Sequence, residues 1–173
     1  MELIFIGLVF LFLNFSITLG SCSIGLIPDF VGYIFLLRGC AQLEDKSSRF
    51  AQIRTPAIVM AIYTGVLYGL NLFGLPANWG AVGWVLSLAA MAVTLWITYR
   101  IVQGVEDLES LSRRDLQSSH LKSLWTANAV LTGINYLISW VPVLSLVGFL
   151  GNAVVSILFL VAFYQSKKVY QGG

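Results

Sequence analysis

The hydrophobic positions of this chain form six long apolar segments, and most of its polar residues lie in the stretches between them. A helix needs about 20 apolar residues to cross the hydrocarbon core of a bilayer, and six such helices account for most of the 173 residues. The pattern predicts an all-α integral membrane protein with a single transmembrane domain over residues 1–173. Six transmembrane helices are predicted near residues 3–19, 28–42, 56–74, 82–102, 124–140 and 144–164.

The polar connectors differ in length, and this predicts how the helices pair. Short connectors after the first, third and fifth segments indicate three helical hairpins, over residues 1–45, 55–110 and 122–166. In the longest connector, residues 103–122, Val105, Leu108 and Leu111 recur at helical spacing, so the fourth helix is predicted to continue as an amphipathic extension along the membrane surface. Ser112 and Asp115 fit a capping box that would begin a new turn.

The positions of the basic residues predict the orientation. All 10 Lys and Arg residues lie in residues 38–54, 100–122 and 167–168, and the connectors at 20–27, 75–81 and 141–143 contain none. The positive-inside rule then predicts that both termini lie in the cytoplasm. Only 10% of the residues are charged, against about 25% in a soluble protein. The basic residues are explained by the bilayer, so we expect no nucleic-acid partner.

The three predicted hairpins share short motifs, which predicts a weak internal repeat. A valine-glycine-aromatic triplet follows each outer turn, and an asparagine precedes it within an apolar segment. Glycine lets two helices approach closely, and asparagine can form a hydrogen bond across the contact. The glycines are Gly32, Gly83 and Gly148, and we predict that they pack against neighbouring helices. The asparagines are Asn14, Asn71 and Asn135.

Asp29 is the candidate for chemistry at membrane depth, because an intramembrane acid is a functional-site hypothesis by default. It follows Pro28 at the predicted start of the second helix. Two interpretations remain open there. The helix N-terminus can stabilise the carboxylate, which would be a structural role, or Asp29 can bind a cation or proton at an outer vestibule. In the second case Asn14, Asn71 and Asn135 would complete a polar intramembrane site.

The cysteines and the single histidine predict neither a disulfide nor a metal site. Cys22 and Cys40 are predicted at opposite ends of a helix, far beyond disulfide distance, and His120 has no second ligand at metal-binding spacing. We therefore expect no cofactor. Residues 19–22, Leu-Gly-Ser-Cys, are similar to a lipoprotein cleavage box that would lipidate Cys22. No basic residue precedes the first apolar segment, which favours Cys22 as a small residue of an outer loop.

The stretch Leu-Ile-Pro-Asp-Phe-Val-Gly-Tyr at residues 26–33 also carries a family resemblance. Together with Asn14 and Phe15 before it and Gly39 and Leu43 after it, this stretch resembles the opening of a group of small polytopic membrane proteins from Gram-positive bacteria. The resemblance covers residues 1–50. It implies a bacterial plasma membrane and several transmembrane helices, and it implies no activity and no catalytic or binding residue.

Two function classes follow from these observations, and an enzyme is not among them. The chain has no HExxH, GxSxG or Walker motif, and a single predicted intramembrane acid cannot form an aspartyl dyad. One class is a small transporter or channel with a polar site near the outer face, because internal repeats with polar interfaces are common in transporters. The alternative is a non-transporting accessory, assembly or sensing subunit. Its expected partners are the lipid bilayer and either another membrane protein or further copies of this chain.

Overall fold

The protein is helical, in agreement with the predicted class. The computed structural model describes residues 1–12, 16–19, 22–25, 28–73, 80–138 and 142–171, and these form six helices and one two-stranded sheet. The helices are α1 (Glu2–Phe12), α2 (Asp29–Ala41), α3 (Ser48–Leu72), α4 (Gly80–Ser112), α5 (Ser118–Ile138) and α6 (Pro142–Gln171).

The predicted first helix over residues 3–19 is wrong in its second half. Helix α1 ends at Phe12, and the strands β1 (Ser16–Leu19) and β2 (Cys22–Gly25) form an antiparallel pair in which Leu19 lies opposite Cys22. The two strands contain the β-branched residues Ile17, Thr18 and Ile24, and β-branched residues favour a strand over a helix. Hydropathy alone does not distinguish these two structures in a short apolar segment.

The prediction of six membrane-spanning helices is supported for three of them. Among the described residues, three helical segments are long and apolar enough to cross a bilayer: Ser48–Leu70, Val82–Ser112 and Leu150–Gln171. Helices α1 and α2 contain 11 and 13 residues, and at about 1.5 Å per residue neither covers the roughly 30 Å of a hydrocarbon core. Helix α5 begins with a polar turn that contains His120 and Lys122. A membrane location is therefore plausible. Helices α1, α2 and α5 do not meet the criterion of length and hydropathy for crossing a bilayer.

The connector after α4 differs from the predicted capping box. Helix α4 continues without a break to Ser112, so the predicted extension is helical, with Val105 and Leu108 buried and Leu111 exposed. No new turn begins at Ser112. Instead, residues 113–117 form a loop in which Arg113 and Gln117 have positive φ angles of 52° and 56°. Helix α5 then starts at Ser118.

The chain divides into two compact units, Met1–Arg100 and Ile101–Gly173. In the first unit α2 packs against both α1 and α3, and strand β2 contacts α3. In the second unit α5 packs against α6. Both cores consist of aliphatic and aromatic side chains. The largest fully buried ones are Tyr33, Phe50, Ile4, Leu8, Leu36, Ile53 and Ile97 in the first unit, and Phe159, Phe163, Ile101, Leu108 and Leu116 in the second.

Large apolar side chains are also exposed along the helices that meet the length criterion. On α3, Val59, Ile62 and Val66 are all more than half exposed, and on α6 Val154 is likewise exposed. These α3 residues recur at intervals of three and four, so they form one face of the helix. Extended apolar faces of this kind mark surfaces that contact lipid or another protein.

Candidate functional site

Asp29 is the first residue of α2 and is partly buried. Pro28 precedes it with φ −72° and ψ 123°, an extended conformation that a proline favours, and contributes no side-chain cap. The next residue, Phe30, packs against α3, where its ring centroid lies 5.8 Å from that of Tyr68. The start of α2 is thus fixed against α3 by aromatic packing, with Asp29 in the first helical turn.

Tyr33 is the main buried polar side chain near Asp29. It lies one turn further along α2 on the same face, and only 2% of its surface is exposed. Its hydroxyl is 2.8 Å from Thr94 Oγ1 of α4. The Thr94 hydroxyl donates to the carbonyl oxygen of Ala90 at 2.8 Å, so its single proton is in use and Tyr33 is the donor between the two hydroxyls.

Gly32 and Gly39 lie at the contact between α2 and α1. A Cβ atom at Gly39 would lie 2.6 Å from Cγ1 and 2.7 Å from the backbone nitrogen of Ile4, and one at Gly32 would lie 3.1 Å from the carbonyl oxygen of Gly7. A Cβ atom at Gly7 would likewise lie 2.8 Å from the carbonyl oxygen of Gly32. The two helices approach so closely that their backbones touch, which only glycine permits.

The contact between α5 and α6 is held instead by polar side chains. Ser156 Oγ donates to Asn128 Oδ1 at 3.2 Å, and both side chains are buried. One turn away, Thr132 Oγ1 donates to Asn152 Oδ1 at 3.1 Å. We call these four residues the α5–α6 polar row. Their order reverses between the two helices, so α5 and α6 run antiparallel.

Asn135 and Gly148 continue this row at its next position. A Cβ atom at Gly148 would lie 2.6 Å from Asn135 Oδ1, so the asparagine side chain occupies the space that the glycine leaves. Asn135 Oδ1 is buried and has no hydrogen-bond partner among the described residues. The predicted asparagine and glycine of the third hairpin are therefore in contact, and one oxygen is left without a donor.

The remaining predicted site residues are not brought together by the described structure. Asn14 lies outside the described residues, and so does the side chain of Asn71. Gly83 lies in α4 and is partly buried. Asp29 belongs to the first compact unit and Asn135 to the second, so a shared cavity of the predicted polar residues stays a prediction.

The loop between α4 and α5, residues 113–117, is fixed by two hydrogen bonds to α6 and by one bond between α5 and α4 at its end. The backbone N–H of Ser118 donates to Glu109 Oε2 at 2.9 Å, and Arg114 Nη1 donates to the carbonyl oxygen of Val169 at 3.2 Å. Leu116 is completely buried, and its carbonyl oxygen accepts a hydrogen bond of 2.5 Å from Ser166 Oγ. These hydrogen bonds hold the loop in one defined conformation.

An open polar pocket of about 450 Å³ lies beside this loop, and we call it the connector pocket. Volumes of this size accommodate small molecules or headgroups. Among the described residues, its wall contains five charged side chains and two serines, and no apolar residue. The lining residues are Glu106, Glu109, Ser110, Arg113, Arg114, Asp115 and Ser118.

Sequence reasoning missed both the polar row and the connector pocket. The row carries a readable signal, because positions 128, 132 and 135 of α5 and positions 148, 152 and 156 of α6 are polar or small at intervals of three and four residues. The pocket carries no such signal. It depends on the path of residues 113–117, which includes two non-glycine residues at positive φ.

The comparisons with known proteins add no family to this description. The chain matches no protein-family model, no curated protein and no solved structure.

Proposed function

We propose that the protein is a multi-pass accessory or sensing subunit of a bacterial plasma membrane, without transport of its own, and that its recognition site is the connector pocket. The observation that carries this proposal is the connector itself. Its loop is hydrogen-bonded to α6, and Ser118 at the end of the loop is hydrogen-bonded to Glu109 of α4. Charged side chains surround the open pocket beside it. Two non-glycine residues at positive φ are held there, and such strained positions cluster at functional sites.

The packing of the helices also favours this class over transport. Buried residues in both units are mainly aliphatic and aromatic, and the polar row pairs its side chains with one another across a single helix contact. Side chains that are satisfied in this way hold helices together. The predicted topology, with six helices and both termini in the cytoplasm, puts the connector pocket on the cytoplasmic side.

A small transporter or channel is the second candidate, and one observation favours it. Asn135 Oδ1 is a buried acceptor without a partner among the described residues, next to the polar row. A buried oxygen of this kind binds a water molecule or a solute more readily than an apolar wall does. In this candidate function the solute path follows the row between α5 and α6, and Asp29 supplies the acid at an outer vestibule.

Flux of protons and monovalent cations through proteoliposomes of the purified protein separates the two candidates. We expect flux equal to that of empty liposomes. Flux that Asn135→Leu or Asp29→Asn abolishes, in variants that still fold, would contradict the accessory role. Asn152→Leu would serve as a second variant within the same row.

The topology is tested by labelling single cysteines in intact cells. Ser48 and Ser119 are exposed, and Ser47 and Ser118 beside them are buried, so the exposed pair is the appropriate choice. With Cys22 and Cys40 replaced by alanine, cysteines at Ser48 and Ser119 should react with an impermeant maleimide only after the cells are opened. Labelling of intact cells would contradict a cytoplasmic connector pocket.

A further inference from the structure

The polar row has a spacing that allows α5 and α6 to pair in two registers. In the structure Asn128 accepts a hydrogen bond from Ser156, and one turn further along α5 Thr132 donates to Asn152. A step of four residues moves α6 by about 6 Å towards its own C-terminus and brings Asn152 opposite Asn128. The same step brings Gly148 opposite Thr132, so both α5 positions again meet a polar or small residue.

The second register supplies a donor that the observed register lacks. Asn135 Oδ1 is buried beside Gly148, and no residue in the described part of the chain donates to it. After a step of four residues, position 145 of α6 comes opposite Asn135, and this position is a serine. A serine hydroxyl carries the proton that the amide oxygen needs.

The other polar groups of the row also keep partners in the second register. Asn128 and Asn152 can pair amide to amide, because each side chain both donates and accepts. A hydroxyl that loses its partner across the contact, such as that of Ser156, can donate to a carbonyl oxygen one turn back in its own helix. Ser166 already makes such a bond to Ala162 at 3.0 Å. The two registers therefore differ little in hydrogen bonding, which is the condition for a switch.

The joining segment and the core both accommodate this step. Three residues join Ile138 at the end of α5 to Pro142 at the start of α6, and the step places these two ends level with each other. Four residues reach about 14 Å when extended, whereas packed helix axes are about 8 to 10 Å apart. Phe159 and Phe163 of α6 are one turn apart and both completely buried, so one aromatic ring moves to the place of the other.

Helix α6 is the element that moves, because α4 and α5 are joined to each other. The Ser118 N–H donates to Glu109 at 2.9 Å, and the Lys122 ammonium lies 3.7 Å from a carboxylate oxygen of Glu106. Both contacts link α5 directly to α4, and neither involves α6. A movement of α6 leaves them intact.

The connector loop is sensitive to the position of α6 through one hydrogen bond. Ser166 Oγ donates to the carbonyl oxygen of Leu116, and both residues are buried. We call this bond the Ser166 latch. Position 162, one turn before Ser166, is an alanine, so after the step no hydroxyl faces Leu116. The loop then loses the contact that holds Arg113 and Gln117 at positive φ on either side of Leu116, a conformation that local preference disfavours.

We propose that α6 steps by one turn along α5 and that this step switches the connector loop between a held and a relaxed conformation. The Ser166 latch holds the loop in the observed register. In the second register the loop relaxes and the connector pocket changes shape. Steps of one turn between packed helices are an established kind of switching transition. This inference rests on the proposed function in one respect, since it makes the step the signal of a sensing subunit at the same pocket.

The step is measured on the full-length protein in nanodiscs by double electron–electron resonance, with Cys22 and Cys40 replaced by alanine. Nitroxides at Leu137→Cys of α5 and Lys168→Cys of α6 lie far apart along the two helices, and both positions are exposed. We expect two distances that differ by about 6 Å, the rise of four helical residues. A pair at Leu150→Cys and Lys168→Cys, both exposed on α6, is the control and should give one distance.

Two variants should change the ratio of the long to the short distance in opposite directions. Ser166→Ala removes the latch and should raise the ratio about fivefold, the effect of one hydrogen bond. In that background Asn135→Ala removes the oxygen that the second register satisfies, so the ratio should fall again. Ser110→Ala is the matched control, because Ser110 donates to the Asp107 carbonyl oxygen of its own helix, and it should leave the ratio unchanged. A single distance in both the parent protein and Ser166→Ala would overturn the proposal.

Hydrogen exchange tests whether the connector loop responds. The backbone amides of residues 113–118 should exchange about fivefold faster in Ser166→Ala than in Ser110→Ala, because exchange follows the population of the relaxed loop. Unchanged exchange, with the ratio of distances raised, would contradict the link between α6 and the loop. Cation flux in proteoliposomes would contradict the accessory role and leave the two distances as they are, so the two failures are distinguishable.

Discussion

The two compact units hold their neighbouring helices together by different physical means. In the first unit the backbones of α1 and α2 touch at Gly7, Gly32 and Gly39. This contact depends on the absence of a Cβ atom in glycine. In the second unit α5 and α6 meet through hydrogen-bonded side chains in the polar row. Substitutions should therefore act differently in each unit. A larger side chain should disrupt the first contact, and loss of a polar atom should disrupt the second.

The largest effect is expected from Gly39→Leu. The new side chain meets the backbone nitrogen of Ile4 at 2.7 Å from its Cβ position, and backbone cannot move aside as a flexible side chain can. We expect the free energy of unfolding to fall by at least about 3 kcal/mol, the upper range for overpacked cores. Unfolding of the purified protein in mixed micelles, followed by circular dichroism, measures this change.

Gly133→Ala is the matched control for that substitution. Gly133 lies within α5, and in the part of the chain that the structure describes no other residue comes within 4 Å of a Cβ atom at this position. Alanine is favoured over glycine within a helix by about 1 kcal/mol, so stability should stay unchanged or rise. A loss of stability equal to that of Gly39→Leu would contradict the contact between α1 and α2 as its cause.

Removal of a polar partner in the second unit should have a smaller effect. Asn128→Ala leaves the buried Ser156 hydroxyl without its partner, which should lower the free energy of unfolding by about 1 to 2 kcal/mol. A double-mutant cycle with Ser156→Ala should give a coupling energy of about 0.6 kcal/mol, as is usual between membrane helices. A coupling energy of zero would show that the row does not stabilise the contact.

Gly148→Ala tests whether glycine packing also operates in the second unit. The added Cβ atom would lie 2.6 Å from Asn135 Oδ1, and because this oxygen ends a flexible side chain the loss of stability should be about 1 kcal/mol. Asn135→Ala in the same chain should restore most of it by clearing the space. Equal losses with and without Asn135→Ala would exclude their direct contact.

The smallest expected effect has the opposite sign. Arg113→Gly removes a left-handed non-glycine residue at the end of α4, so the free energy of unfolding should rise by up to about 1 kcal/mol. The control Arg54→Gln should leave stability within about 0.5 kcal/mol of the original, as usual for an exposed position. A destabilised Arg113→Gly variant would show that the arginine side chain stabilises the loop.

The sequence alone predicted the helical class and the positions of the helices, because hydropathy is summed over a whole segment and tolerates local errors. Five of the six predicted helices overlap the observed ones along most of their length, from α2 to α6. The first was wrong over Ser16–Leu19, where short apolar strands and helices look alike. The glycine motifs directed attention to Gly32 and Gly148, and the structure finds both at close contacts.

Only the tertiary structure decided which polar groups meet. The pairs in the polar row depend on how α5 and α6 are rotated about their axes, and the pairing of Tyr33 with Thr94 joins residues far apart along the chain. The connector pocket depends on two backbone torsions, at Arg113 and Gln117. Local preference disfavours both conformations, and the contacts of Leu116 and Ser118 hold them. The sequence around the loop supplies one local hydrogen bond, from the Gln117 N–H to Asp115 Oδ1. The bonds of Leu116 and Ser118 come from residues 50 and 9 positions away, so they form only once the helices have packed.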